Sequence, residues 1–366
     1  MIDSMLSGSL NRALGSRLVN ALTAPHGVDR FLEPFNPMWS VDKIRARIES
    51  ITRPTADSVS LRMRPNRHWK GFLAGQYVRV QVEIGGVRRS RCYSLSDAQA
   101  AHDGLIEITV KAQDEGLVSA YLNRNARVGM VIGLSQAEGE FVLPQAVSAP
   151  LMLIAGGSGI TPIMAMLRTL ARGGHAGVLS LLYYVRNAAD TIFADELIEL
   201  FGAQPEWKLR VIRTRESGGS RFGRAHLDGL VQDLAAAEIY VCGPAALIDA
   251  VSALCAELGC ESRLRLERFT ATSTSAPADP DTISGELRFV RSERYAANDG
   301  RSLLDQAEAA GLRPESGCRM GICHSCTCRK TSGVVRDLRS GRLSSSGEED
   351  IQICVSAAVG DVTLDI

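Results

Sequence analysis

The chain has 366 residues, of which 45% are hydrophobic and 5% aromatic, and its 41 basic residues balance its 41 acidic ones. This length allows two or three domains, and the neutral balance gives no basic field for binding nucleic acid. No apolar run approaches the roughly 18 residues of a membrane span, and Asn11, Arg12 and Arg17 interrupt the apolar positions that a secretory signal would need. We therefore expect a cytoplasmic protein in a reducing compartment, without disulfides among its nine cysteines.

Residues 1–40 are predicted to form a helical leader. Leucines recur there every four residues between polar positions, a spacing typical of an amphipathic helix: Leu6, Leu10, Leu14, Leu18 and Leu22. Prolines at positions 25, 34 and 37 then interrupt the helix. We expect the leucine stripe to pack on the protein's own domains; docking on a partner or at the inner face of a membrane is the alternative.

Residues 41–148 change to short alternating runs, such as QYVRVQVEI and GLIEITVKA, which predict an antiparallel β-barrel. Two segments exceed what a barrel needs: RCYSLS, with Arg91, Tyr93 and Ser94, and EGLVSAYL, with Gly116 and Ser119. An arginine can grip a diphosphate, a tyrosine can lie against an isoalloxazine ring, and backbone N–H groups at a helix start can bind phosphate. Each segment alone could be ordinary strand or helix sequence, but together and in this order they predict an FAD site.

Residues 149–269 alternate between apolar strands and amphipathic helices, which predicts a doubly wound α/β nucleotide domain. The first strand runs through Gly157-Ser158-Gly159-Ile160-Thr161-Pro162 into a helix. This turn is G-x-G-x-x-P rather than the dinucleotide fingerprint G-x-G-x-x-G, and any tight strand-to-helix turn favours glycine. The apolar strand before it and the helix behind it nevertheless favour a pyrophosphate at the helix N-terminus.

Residues 270–282 lack periodicity and are predicted to be a linker. The last domain, 283–366, carries Cys318, Cys323 and Cys326 as C-x4-C-x2-C, and 27 residues separate Cys326 from Cys354. This is the plant-type [2Fe-2S] spacing with its distant fourth ligand. A zinc site or a set of ordinary buried cysteines is the alternative, but zinc ribbons usually pair two C-x2-C knuckles and only one is present. Cys328 falls outside the pattern, and we interpret it as a spare thiol.

The order of RCYSLS, GGSGITP, VCGP and the cysteine loop resembles the ferredoxin-NADP reductase superfamily fused to a C-terminal plant-type ferredoxin. The resemblance implies a multidomain protein with an antiparallel β-barrel flavin domain, an α/β doubly wound nucleotide domain and an α+β β-grasp ferredoxin domain. The leader segment APHGVDRFLEPFNPMWSV is similar to that of bacterial reductases that serve membrane fatty acyl desaturases. Reductases of phenylacetyl-CoA epoxidase and of steroid or aromatic hydroxylases share the domain order.

Carried over position by position, the resemblance implies which residues bind each cofactor. FAD would be held by Arg91, Tyr93 and Ser94 and, at its diphosphate, by Gly116, Leu117, Val118 and Ser119. The pyrophosphate of the nicotinamide coenzyme would lie on Gly157, Ser158, Gly159, Thr161 and Pro162, with the nicotinamide beside Cys242, Gly243 and Pro244. The catalytic positions would be Ser94, near flavin N5, and Cys242.

Three further positions bear on the resemblance. The family pattern R-x-Y-S-x-x-S would place its final serine where this chain has Asp97, and Ser96 is the nearest substitute. Phe269 matches a position near the flavin in the epoxidase reductases. Thr214 and Arg215 match the hydroxyl residue and arginine with which NADP-using relatives hold the 2'-phosphate, so NADPH is the expected coenzyme.

Together these observations predict an NADPH-dependent oxidoreductase that passes electrons through FAD and a [2Fe-2S] cluster to a separate acceptor protein. A membrane acyl-CoA desaturase is the expected acceptor, and we expect a monomer with a peripheral membrane contact. The reductase component of a multicomponent ring hydroxylase or epoxidase is the alternative. A redox-sensing carrier without turnover is an alternative of another class.

Overall fold

The computed structural model describes residues 28–99, 103–113, 116–144, 146–269, 284–316, 321, 326–338 and 340–366. The leucine stripe of the leader, the predicted linker and two of the predicted cluster ligands, Cys318 and Cys323, lie outside these residues. Within the described ranges, no helix has the length and apolar character needed to cross a membrane.

The described part of the leader is fastened to the first domain by a buried carboxylate. It contains one short helix, α1 (Asp29–Leu32). Asp29 accepts hydrogen bonds from the Ser40 hydroxyl at 2.8 Å and from the Val41 amide at 2.9 Å, immediately before the first strand. These bonds explain why this proline-rich connector is ordered without regular secondary structure.

The first domain is a six-stranded antiparallel barrel with strand order β4-β3-β6-β1-β2-β5. Its strands are β1 (Ile44–Thr55), β2 (Ser58–Pro65), β3 (Tyr77–Ile84), β4 (Val87–Ser94), β5 (Ile106–Lys111) and β6 (Val131–Leu134). Alternation decides which face is buried: Val78, Val80 and Val82 point into the core from β3, and charged or polar residues lie between them. A bridge between Leu95 and Ile108 joins the two edges of the sheet. Helix α2 (Leu117–Asn125) packs against this barrel core.

The second domain is a parallel five-stranded sheet with strand order β11-β10-β7-β8-β9. Its strands are β7 (Leu151–Gly156), β8 (Leu179–Val185), β9 (Trp207–Arg213), β10 (Glu238–Gly243) and β11 (Leu264–Arg268), and its helices are α3 (Ile160–Arg172), α4 (Ala194–Gly202) and α5 (Ala245–Glu257). Helices α3 and α4 share one apolar cluster with the sheet, and α5 shares another. Every residue of β7 and β8 is buried, because a doubly wound sheet is covered on both faces.

The third domain is a mixed five-stranded sheet with strand order β13-β12-β16-β14-β15. Its elements are β12 (Glu286–Phe289), β13 (Arg294–Ala297), α6 (Leu303–Ala309), β14 (Thr327–Asp337), β15 (Glu349–Gln352) and β16 (Ser356–Leu364). Strands β12 and β16 are parallel, and the remaining pairs are antiparallel. The Ser302 side chain caps α6 by accepting from the amide of Asp305. The barrel, the doubly wound domain and the mixed α+β domain confirm the predicted fold class.

Candidate active site

A cleft of about 500 Å³ opens between the barrel and the parallel sheet. The RCYSLS and EGLVSAYL segments line one side of it, and the carboxyl ends of β7 and β10 line the other. Predicted site residues on its wall are Arg91, Tyr93, Ser94, Gly116, Val118, Ser119, Gly157, Ser158, Thr161, Gly243 and Pro244, and Phe269 lines it as well. Segments far apart in the sequence therefore meet at the edge where doubly wound domains bind their ligands.

The barrel side of the cleft is formed by the end of β4 and the start of α2. Ser94 is the last residue of β4 and is paired with Tyr77 of β3, so its position is fixed by the sheet. Burial raises the pKa of Tyr93, which therefore presents a neutral phenol to the cleft. The Ser119 hydroxyl donates to the Gly116 carbonyl at 3.1 Å and closes the turn that begins α2.

The nucleotide side is formed by two strand ends that approach each other closely. A Cβ on Gly159 would overlap the carbonyl of Cys242, and a Cβ on Gly243 would lie 3.0 Å from backbone atoms of Gly156. The Tyr183 hydroxyl also donates to the Gly157 carbonyl at 3.0 Å, which fixes the turn. Glycine is thus required here by packing, and the resulting open turn ahead of α3 fits a pyrophosphate.

Glu267, which the sequence argument did not single out, lies at the centre of the site. It is buried on β11, with 9% of its surface exposed, and lies directly beside Cys242 of β10 in the sheet register. The Ser94 hydroxyl donates to Glu267 Oε2 at 3.4 Å, and the Cys242 thiol lies 3.9 Å from the same oxygen. Burial raises the pKa of Glu267 to about 8, although the Ser94 and Cys242 contacts oppose this shift. Little in the sequence signalled it, because in the strand LRLERF the apolar positions are the two leucines, and Glu267 alternates with them on the face of Arg265.

The predicted catalytic pair, Ser94 and Cys242, is therefore joined through a third residue. Burial raises the pKa of the Cys242 thiol well above its ordinary value, and the adjacent Glu267 raises it further. Cys242 is consequently a neutral donor beneath the cleft. Ser94 and Glu267 line the cleft itself, so a proton can pass between the cleft and a buried carboxyl group.

Asp97 and Ser96, the two candidates for the missing serine of the family pattern, are absent from the described lining of the cleft. Asp97 accepts from the amide of Ala98 at 2.7 Å and lies 3.8 Å from Arg172. The Ser96 hydroxyl donates to Glu107 at 2.9 Å. Both side chains form contacts outside the described lining of the cleft, and the suggestion that Ser96 replaces the expected serine stays a prediction.

Thr214 and Arg215 follow β9, outside the described lining of the cleft. The Thr214 hydroxyl donates to the Val185 carbonyl at 3.1 Å. Among the described residues, the exposed Arg215 side chain has no hydrogen bond or ion pair. Arg186, by contrast, is paired with Asp190 at 2.9 Å. Arg215 therefore remains available for an anion such as a 2'-phosphate.

Two of the four predicted cluster ligands are described, and they are adjacent. Cys326 precedes β14, Cys354 follows β15, and their sulfur atoms are 3.0 Å apart. Both are buried and neither forms a disulfide, which fits ligands that share one iron-sulfur group. Cys328 points elsewhere, 3.5 Å from the Arg329 carbonyl, and burial raises its pKa to about 11. This placement agrees with the interpretation of Cys328 as a spare thiol.

Three family models match the chain in the order of its three domains. The oxidoreductase FAD-binding domain matches residues 46–143, the oxidoreductase NAD-binding domain 153–253, and the 2Fe-2S iron-sulfur cluster binding domain 289–359. These matches confirm the predicted FAD, NAD(P)H and [2Fe-2S] cofactors.

Curated relatives cover most of the chain. An NADPH oxidoreductase of Mycobacterium tuberculosis is 36% identical over 354 residues, covering 96% of this chain and 91% of that protein. The ferredoxin reductase component of 3-ketosteroid-9-alpha-monooxygenase from the same species is 32% identical and covers 72% and 76%. The glycine betaine monooxygenase reductase subunit of Chromohalobacter salexigens is 28% identical and covers 80% and 87%.

Among solved structures, phthalate dioxygenase reductase, described as a modular structure for electron transfer from pyridine nucleotides to [2Fe-2S], superposes with a TM-score of 0.60. It is 27% identical, and the match covers 88% of this chain and 97% of that one. The FAD/NAD-binding domain of a nitric oxide dioxygenase from Vibrio cholerae superposes with a TM-score of 0.56 over 62% of this chain at 28% identity.

Proposed function

This chain belongs to the ferredoxin-NADP reductase superfamily as an NAD(P)H oxidoreductase with a [2Fe-2S] domain, and from that premise we propose that it is the NADPH-dependent reductase component of a multicomponent oxygenase. The observation that carries the proposal is the single cleft that brings RCYS of the barrel against GGSG and VCGP of the nucleotide domain. The adjacent sulfurs of Cys326 and Cys354 in the same chain supply an exit for electrons.

The chemistry divides between the cofactors and the chain. When bound, FAD would supply an acceptor for a hydride and a donor of single electrons, and a [2Fe-2S] cluster would supply a one-electron carrier. The chain's part is to orient the two rings, to exclude water and to move one proton, because each hydride turned into two electrons leaves one proton behind. The Ser94 hydroxyl is placed to pass that proton to Glu267 Oε2.

An oxygenase is the acceptor best supported by the relatives. Two of them are named as reductase components of monooxygenases, one acting on a ketosteroid and one on glycine betaine, and a structural neighbour is a dioxygenase reductase. All three cover at least 72% of this chain, so the likeness extends beyond a shared nucleotide domain.

The acceptor can be tested directly in fractions of source cells from which this chain has been removed. The soluble fraction would receive NADPH, ¹⁸O₂ and a panel of ring, steroid and N-methyl substrates, with and without the purified protein. We expect ¹⁸O-labelled product only when the protein is added. Absence of label across the panel, with cytochrome c still reduced by the protein, would contradict an oxygenase acceptor.

A membrane acyl-CoA desaturase is the second candidate, favoured by the leader. The M. tuberculosis NADPH oxidoreductase is 36% identical, and its match covers 96% of this chain. The match therefore includes part of residues 1–40. Washed membranes given stearoyl-CoA and NADPH provide the matching assay. Oleoyl-CoA formation that depends on the added protein, together with no ¹⁸O label in the soluble fraction, would select the desaturase and its peripheral membrane contact.

Arg215→Leu is expected to weaken the preference for NADPH. The arginine directly follows Thr214, the predicted 2'-phosphate contact, and its side chain is exposed, whereas NADH has no such phosphate. We expect KM for NADPH to rise about tenfold with little change in kcat or in the NADH parameters. Steady-state kinetics with both coenzymes measure this effect. Arg224→Leu removes a surface arginine paired with Glu257 and is the matched control; an equal effect there would refute the assignment.

A further inference from the structure

Arg168 lies at the junction of the two domains that form the cleft. It is on α3, the helix that starts directly after the glycine turn, and its side chain is only 15% exposed. Two of its nitrogens, Nε and Nη2, donate to the two carboxylate oxygens of Glu196 on α4, both at 2.7 Å. The guanidinium also lies over the Phe193 ring, 5.1 Å from its centroid. One side of Arg168 is therefore held rigidly inside the nucleotide domain.

The remaining nitrogen reaches across to the barrel. Nη1 donates to the Ser96 carbonyl and to Glu107 Oε1, both at 2.7 Å. Glu107 belongs to β5, and it also accepts from the Ser96 hydroxyl at 2.9 Å while its carbonyl accepts from the Ser96 amide at 2.8 Å. Ser96 is thus fixed to both β5 and Arg168. It lies two residues after Ser94, the barrel residue that contacts Glu267.

We propose that Arg168 is a positioning residue that fixes the distance between the pyrophosphate turn and Ser94, and so the approach of coenzyme to flavin. This inference rests on the proposed function, because it assumes hydride transfer across this cleft. Arg168 is absent from the described lining of the cleft, so it acts through the elements it joins. Hydride transfer needs the reacting atoms about 3 to 3.5 Å apart, and a displacement of about 1 Å can cost a hundredfold in rate.

Other contacts also join the barrel to the nucleotide domain, but each involves fewer hydrogen bonds than Arg168. The Gln99 amide donates to the Thr169 hydroxyl at 2.9 Å, one residue beyond Arg168. Lys111 lies 3.4 Å from Asp190 at the far side. Arg168 alone among these three contacts makes four hydrogen bonds from one charged group, two on each domain.

Three variants distinguish a positioning role of Arg168 from a contribution to the stability of the fold alone. Arg168→Met keeps an unbranched side chain near Phe193 but breaks every bond to the barrel, and Glu107→Gln weakens the connection from the opposite side. Glu199→Gln is the matched control, because it removes an exposed carboxylate from α4, the helix that carries one of the two carboxylate partners of Arg168, and leaves both partners intact. Two readouts are needed: stopped-flow reduction of the flavin by NADPH, and hydrogen exchange at the Gln99 amide without coenzyme.

For Arg168→Met and Glu107→Gln we expect flavin reduction at saturating NADPH to slow by about tenfold, with Kd for NADPH changed less than about twofold. The Gln99 amide should exchange about tenfold faster while amides within α3 stay protected. Glu199→Gln should change the reduction rate by less than about twofold, because Glu199 lies outside the Arg168 contacts. Unchanged reduction rates in Arg168→Met and Glu107→Gln, or an equal loss in Glu199→Gln, would overturn the inference. If wild-type protein failed to reduce its flavin with NADPH, the proposed function would fail, and the exchange data would still report whether Arg168 fixes the interface.

Discussion

Cys326→Ser is expected to abolish electron delivery to cytochrome c while NADPH-driven reduction of ferricyanide continues. Ferricyanide is small enough to take electrons from the flavin directly, whereas a protein acceptor needs the cluster as the exit. Cys326 and Cys354 sulfurs lie 3.0 Å apart in a buried pair, so losing either one removes a ligand that no neighbouring described group replaces. We expect a loss of about a hundredfold or more in cytochrome c reduction.

The same variant should lose the iron itself. Iron and sulfide analysis, with the visible absorption of the cluster, provides a readout that does not depend on turnover. Cys354→Ser should behave in the same way, because the two residues share one site. Cys328→Ser is the matched control, since Cys328 is on the adjacent strand with its thiol near the Arg329 carbonyl. A variant of Cys326 that retained full iron content, or a Cys328 variant that lost it, would contradict this ligand assignment.

Glu267→Gln is expected to remove the pH dependence, near pH 8, of electron output, which is the rate at which the protein reduces cytochrome c with NADPH. Burial raises the pKa of Glu267 to about 8, so the group is protonated below that value and becomes a carboxylate above it. Only the carboxylate can take the proton that Ser94 passes on, so wild-type output should rise as the pH increases through about 8. The amide can accept no proton, so we expect the variant to be about a hundredfold slower at high pH and nearly independent of pH.

The control for this prediction is Glu238→Gln, which alters a glutamate on β10 that pairs with Arg263 at the sheet edge. Its pH profile should match the wild type. A Glu267→Gln variant with the wild-type rise near pH 8 would show that another group accepts the proton. Flavin reduction by NADPH should change far less than electron output, because hydride transfer itself needs no acid or base.

The raised pKa of Glu267 also predicts how stability depends on pH. Its ordinary value is 4.5, so between that pH and about 8 the folded protein holds a proton that the unfolded chain has released. The free energy of unfolding therefore falls as the pH rises across this window and levels off above it. Glu267→Gln should lack this component, so the unfolding free energy of the variant minus that of the wild type should increase as the pH rises across this window. Denaturant titrations of the flavin-free protein measure it.

The sequence alone was sufficient wherever function depends on residues close together in the chain. The C-x4-C-x2-C loop predicted a [2Fe-2S] domain, because a cluster needs thiolates from one tight turn, and the 2Fe-2S family model matches residues 289–359. The glycine turn before α3 was recognised because a strand-to-helix reversal at a nucleotide site permits few side chains. Alternation in the barrel and apolar runs in the parallel sheet predicted the domain types, since the period of burial follows directly from strand geometry.

Only the tertiary structure decided contacts between distant segments. Ser94 and Glu267 are 173 residues apart, and no local pattern relates a serine at a barrel edge to a glutamate on the last strand of the next domain. The bridge from Arg168 to Glu107 likewise depends on how two domains pack, and the Ser96 hydroxyl donates to the same carboxylate. A motif constrains the backbone of its own residues. The burial, pKa and ion pairs of a side chain depend on the residues that folding places around it. Those residues decide which carboxylate lies at the site and at what pH it is charged.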